Sequence, residues 1–135
     1  MATKRNVLVW VTIAVLAHLV VSVLHGQAHA RLGVGLSSWQ LGYVYTVVFF
    51  GPLIALAVSF TRYTTSGLWL LLLTMLGSLI FGICYHYVVI SPDHVAHLPP
   101  GEARGVFRIT ALLLVITETV GVAVAAWALR KHSNA

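Results

Sequence analysis

The sequence predicts an all-α polytopic membrane protein, an antiparallel bundle of four transmembrane helices forming one domain over residues 1–135. Hydrophobic residues make up 59% of the chain and charged residues only 8%. A soluble domain carries about a quarter charged residues, whereas a helix that crosses a hydrocarbon core needs about 20 apolar ones. The composition therefore excludes a soluble globular domain and a disordered chain. It predicts the lipid bilayer as a partner and no nucleic-acid partner.

Four apolar runs are long enough to cross the membrane, and the intervals between them hold the turn-forming residues. The predicted spans are 6–25, 39–60, 67–90 and 107–129. The first and third intervals, 26–38 and 91–106, are rich in glycine, serine and proline, which predicts two longer linkers on one side of the membrane. Gly51-Pro52 lies inside the second span and predicts a kink or a local unwinding there.

The distribution of basic residues predicts the orientation. One side of the predicted bundle carries five of them: Lys4, Arg5, Arg62, Arg130 and Lys131. Arg31, Arg104 and Arg108 lie on the other side. The positive-inside rule then places both termini in the cytoplasm and the two longer linkers outside. We expect the membrane to be a bacterial inner membrane.

The first thirty residues also fit a secretory signal peptide, which is a competing interpretation. They combine a basic start, an apolar stretch and the small-x-small sequence Ala28-His29-Ala30. The apolar stretch, however, exceeds the roughly 7–15 residues of a signal core, and His18 interrupts it. We therefore expect the first span to be retained.

Two ionisable residues lie deep inside predicted spans and form a predicted buried polar pair. A charged group at mid-membrane costs about 2.5–3.5 kcal/mol on insertion scales, so such residues generally face a partner. Counting 1.5 Å per residue from each boundary places His18 and Glu118 at similar depths. We expect the two side chains to lie close together, either fixing the helix register or handling a proton.

A second group of polar residues gathers at the outer end of the predicted bundle. His25 and His86 end their spans at matching depths. The full set of predicted metal ligands is His25, His29, His86, Asp93, His94 and His97. Imidazole with carboxylate suits zinc, iron or copper(II), so the expected cofactor is one of these ions or a haem b. The alternative is a set of interfacial histidines that hydrogen-bond to water and headgroups.

The inward histidines give the chain a resemblance to haem bundles of the cytochrome b561 type. The resemblance depends on His18, His25 and His86, and the second and fourth spans contain no histidine. It implies at most one haem, between the first and third spans, with His25 and His86 as axial ligands. Arg108 would then neutralise a haem propionate or another anion, its alternative role being an anchor to lipid phosphates.

The first functional hypothesis is therefore metal or haem binding at the outer histidine cluster, for electron transfer or metal handling. A second is a non-catalytic accessory subunit of a larger membrane complex. A third is a small proton-coupled transporter that uses Glu118 and His18 and requires a homo-oligomer to enclose a pathway. The sequence leaves open whether the protein is an enzyme.

Overall fold

The computed structural model describes residues 4–133, which form four long helices joined by loops, without a strand among them. The helices are α1 (Lys4–Leu32), α2 (Ser38–Ser59), α3 (Thr64–Val88) and α4 (Arg104–Ser133). Each is long and apolar enough to cross a membrane. The predicted all-helical class is thus confirmed.

The helices pack antiparallel, with α4 between α1 and α3, and α2 on the far side of α3. The end of the bundle that holds the start of α1 and the end of α4 is here called the termini end. Its core contains Val11 of α1, Leu68 and Met75 of α3, and Ala125 of α4. A Cβ atom at Gly121 would lie 2.8 Å from the sulfur of Met75. The helices therefore approach closely here, and side chains fill this half of the bundle.

The hairpin between α2 and α3 is tight. A Cβ atom added to Gly67 would lie 2.5 Å from both the amide nitrogen and the hydroxyl of Ser59. Only glycine allows the two backbones to come this close. The opposite end, here called the distal end, contains the two longer loops, residues 33–37 and 89–103.

At the distal end α1 continues to Leu32, so the prediction of a linker over 26–38 is wrong for residues 26–32. Hydropathy marks where the chain leaves lipid, whereas the helix continues until a residue stops it. That residue is Gly33, with φ +65°. Its N–H donates to the carbonyl of Ala30, and the N–H of Val34 donates to that of His29, which is a Schellman motif. Likewise α4 begins at Arg104 rather than at 107.

Two helical segments are wound as π-helix, and both lie beside predicted functional residues. One covers Val44–Phe50 in α2 and the other Cys84–Val88 at the end of α3. In the first, the N–H of Gly51 donates to the carbonyl of Thr46, five residues earlier. Such segments are rare and frequently occur at functional sites. The local unwinding predicted at Gly51-Pro52 corresponds to the first of them.

Candidate metal centre

Three histidines meet at the distal end of the bundle. His25 and His29 lie one turn apart on α1, and His86 lies in the π-segment of α3. The Nε2 atoms of His25 and His86 are 3.2 Å apart, and one nitrogen from each of the three rings lies within 4.8 Å of the others. His25 and His86 are about 5% exposed, so the cluster is shielded from bulk solvent.

The partner of His25 determines which of its ring nitrogens carries the hydrogen. Thr110 Oγ1 lies 2.9 Å from His25 Nδ1. The same hydroxyl lies 2.7 Å from the carbonyl oxygen of Val106 and 3.1 Å from that of Phe107. Its own hydrogen is therefore donated to the helix backbone, and it accepts a hydrogen from Nδ1. The Nε2 atom of His25 is left with a lone pair.

Backbone carbonyls orient the other two rings in the same way. His86 Nδ1 donates to the carbonyl of Asp93 at 3.1 Å, and His29 Nδ1 donates to that of Val34 at 3.1 Å. Each ring is fixed to the loop that follows its helix, and each loop is bonded back to its histidine. The N–H of Val34 donates to the carbonyl of His29, and the N–H of Val95 to that of His86. In their neutral form, all three rings therefore carry the remaining lone pair on Nε2.

With both rings neutral, this arrangement is unfavourable unless a metal ion or a proton lies between the two Nε2 atoms. Lone pairs of His25 and His86 face each other across 3.2 Å. Nitrogens bound to one tetrahedral zinc ion at about 2.0–2.1 Å lie about 3.3 Å apart, so this pair already has the spacing of two ligands. The widest separation in the group, 4.8 Å, would have to close by about 1.5 Å to bring in all three nitrogens.

Asp93 adds a carboxylate to the cluster. It is 4% exposed, with Oδ1 3.1 Å from His29 Nε2 and Oδ2 3.8 Å from His86 Nδ1. The alignment of the first contact is poor, and Oδ1 has no hydrogen-bond partner within residues 4–133. A buried carboxylate oxygen in this state favours a cation nearby. It can serve as a fourth ligand or accept a hydrogen bond from a metal-bound water molecule.

The packing around the rings fits an ion better than a haem. Axial coordination would require the porphyrin to pass between His25 and His86, whose nitrogens are 3.2 Å apart. Phe107 also fills the space beside them, with its ring centroid 4.5 Å from that of His25, 4.7 Å from that of His29 and 5.6 Å from that of His86. A macrocycle would displace this side chain.

Two of the predicted metal ligands, and the arginine predicted to bind an anion, are directed elsewhere. His94 and His97 stack on each other with centroids 4.9 Å apart, and His94 Nδ1 accepts from the N–H of Ala96. Neither joins the group formed by the other histidines. Arg108 is exposed, and its Nε donates to the carbonyl of Val95 at 2.9 Å. It braces the loop over 89–103 rather than contacting the cluster.

The structure brings the predicted buried pair together deeper in the bundle. His18 Nδ1 lies 4.0 Å from Glu118 Oε1, and the two residues are 0% and 2% exposed. Pro52 lacks an N–H and cannot donate to the carbonyl of Val48 four residues earlier. His18 Nε2 lies 3.0 Å from that oxygen and donates to it. Within the described chain, His18 Nδ1 and Glu118 Oε2 have no hydrogen-bond partner.

A cavity of about 590 Å³ joins these two levels. Its distal wall contains the three clustered histidines and Asp93, and its inner wall contains Glu118. Valine, leucine and phenylalanine side chains supply most of the surface between them. The histidine cluster and Glu118 therefore face one space.

Sequence reasoning missed the groups that orient the histidines. Thr110 is a threonine in an apolar helix at a depth similar to that of His25, a signal that could have identified it. The carbonyls of Val34, Val48 and Asp93 give no such signal, because every residue carries one. Only the backbone path shows which of them a ring can reach.

No protein-family model matches the chain, and no curated protein or solved structure is similar to it. The structure by itself defines an all-helical protein with four helices of membrane-spanning length and a histidine-rich polar site at one end.

Proposed function

We propose that the protein is an integral membrane metalloprotein that binds one divalent transition-metal ion through His25, His29 and His86. The observation that carries the proposal is the convergence of three histidine rings, with one nitrogen of each within 4.8 Å of the others and each Nδ1 held by a hydrogen bond. Metal-binding histidines usually have such partners, which set the tautomer and the ring orientation.

Zinc is the ion that fits the donor set best. Zinc takes imidazole and carboxylate ligands in tetrahedral geometry, and three protein ligands leave a fourth position for water or another molecule. Iron(II) and copper(II) accept the same donors. An ion with an open position, in a cavity, suits metal handling or chemistry on a bound molecule better than a closed structural site does.

The charge distribution supports a position for the site on the extracytoplasmic face. The basic residues near the termini end, among them Arg5, Arg62 and Arg130, outnumber those near the distal end. By the positive-inside rule both termini are cytoplasmic and the metal centre faces the opposite compartment. In a bacterium with two membranes that compartment is the periplasm, and the membrane is the inner one.

The test is the zinc content of the detergent-purified protein after washing with a weak chelator. We expect about one zinc per chain in the wild type and almost none in the His25→Ala and His86→Ala variants. His94→Ala and His97→Ala are the matched controls, since these histidines lie outside the group, and both should retain the ion. Equal zinc in all five proteins would refute the proposal. A Soret band with stoichiometric iron would favour the haem.

A further inference from the structure

The inner part of the cavity is chemically distinct from the proposed metal centre. Its polar side chains include Glu118, Ser22 and Ser78. The serine hydrogens are donated to helix carbonyls, from Ser22 to His18 O at 2.9 Å and from Ser78 to Thr74 O at 2.8 Å. Both hydroxyl oxygens therefore remain as acceptors, and within the described residues Glu118 Oε2 has no partner.

The cavity opens on the apolar flank of the bundle. The distal half of α2 packs on α3, where Tyr43 stacks on Phe81 with ring centroids 4.8 Å apart, and it packs less closely on α1. Val23 of α1 and Tyr45 of α2 line the cavity and are 49% and 52% exposed. The mouth thus lies between α1 and α2, in the band that faces lipid. A molecule that enters here comes from the bilayer.

We propose that this inner part binds a lipid-soluble phenol or quinol, whose hydroxyl group donates a hydrogen bond to Glu118 and whose apolar tail leaves through the mouth. A hydroxyl can donate to any of these acceptors, and its own oxygen can accept the hydrogen of a protonated Glu118. A fatty acid carboxylate has no hydrogen to donate to the serine oxygens or to an ionised Glu118. Phe49 and Phe81, which line the space, offer aromatic surface to its ring.

The dimensions agree with this class of ligand. Small-molecule sites have volumes of about 300–1,000 Å³ with mainly apolar walls, and this cavity has about 590 Å³. Space at its inner end comes from Gly82, where an added Cβ atom would lie 3.5 Å from Glu118 Oε2. Since neither residue is a proposed metal ligand, the inference does not depend on the bound ion.

The experiment uses the full chain in phosphatidylcholine nanodiscs and radiolabelled 4-octylphenol, with empty nanodiscs as the background. We expect saturable binding of about one molecule per chain, displaced by unlabelled 4-octylphenol. Octylbenzene has the same ring and tail without the hydroxyl and should displace it only at about tenfold higher concentration. Equal displacement by octylbenzene at equal concentration would show a pocket for acyl chains only and would overturn the proposal.

Variants locate the ligand within the cavity. Glu118→Leu should weaken binding about tenfold, the effect of one lost hydrogen bond, and Gly82→Leu should abolish binding by filling the inner end. Gly105→Leu is the matched control, because its added side chain meets open space among the described residues and lies outside the cavity. If Gly82→Leu fails to fold, Gly82→Ala should still bind measurably less. Unchanged binding in Glu118→Leu would refute the inference.

Zinc content of the same samples separates the two proposals. Glu118→Leu should lose the phenol and keep zinc, whereas His86→Ala should lose zinc and keep the phenol. A wild type that binds zinc but shows no saturable 4-octylphenol binding overturns this inference alone.

Discussion

Replacing Thr110 with valine tests whether the hydrogen bond at His25 Nδ1 prepares the metal centre. Valine keeps the shape of threonine and removes one oxygen, the acceptor that lies 2.9 Å from His25 Nδ1. The ring would then have a buried N–H without a partner and would be free to rotate or change tautomer. Loss of such a supporting group typically lowers metal affinity 10–100-fold, which corresponds to about 1.4–2.7 kcal/mol.

The assay is a competitive zinc titration against a chromophoric chelator in detergent, run on the wild type and on Thr110→Val. Thr117→Val is the matched control. Thr117 lies two turns further along α4, and its hydroxyl donates to the carbonyls of Leu113 and Leu114, as that of Thr110 does to its own helix. We expect the control to bind zinc as the wild type does. Equal affinities in all three proteins, or an equal loss in both variants, would refute the reasoning.

Three further predictions concern the backbone that supports the site. Gly33→Ala should destabilise the protein by about 1–2 kcal/mol in chemical denaturation, because φ +65° is unfavourable for alanine, and it should also weaken zinc binding. Gly35 does not have a positive φ, so Gly35→Ala should change neither stability nor zinc binding. His18→Leu should lower the free energy of unfolding by about 1–3 kcal/mol, because the carbonyl of Val48 loses its donor. The loss should be smaller in a Pro52→Ala background, since that substitution restores a backbone N–H. A double-mutant cycle that shows no coupling would contradict this role of His18. Gly67→Ala should lower the thermal unfolding midpoint, whereas Gly35→Ala should leave it unchanged.

The sequence predicts the fold class because lipid imposes it. In lipid, the backbone N–H and C=O groups of a long apolar run must form hydrogen bonds within the protein, and a helix forms all of them within one run. The helix ends are harder to predict, because hydropathy marks where the chain leaves the membrane and not where the helix stops. Residues 26–32 are polar enough to leave lipid and continue as helix to Gly33. That extension places His29 in the cluster.

The candidate site could be predicted only where depth and helix face determine it. His25 and His86 end their spans at equal depths, and the structure brings them together. The loop over 89–103 follows no such rule. Its hydrogen bonds to His86 turn Asp93 inward, whereas His97, four residues later, is exposed. Their positions in the sequence predicted both Asp93 and His97 as metal ligands and could not distinguish between them.

The lateral mouth between α1 and α2 determines how any cavity ligand must be measured. A molecule that reaches the protein through the bilayer is governed by its mole fraction in lipid, not by its concentration in buffer. Each methylene of a tail adds about 0.8 kcal/mol to partitioning, so lengthening the tail would raise the apparent affinity with no new protein contact. Dissociation constants for this cavity are therefore comparable between ligands only when expressed per lipid.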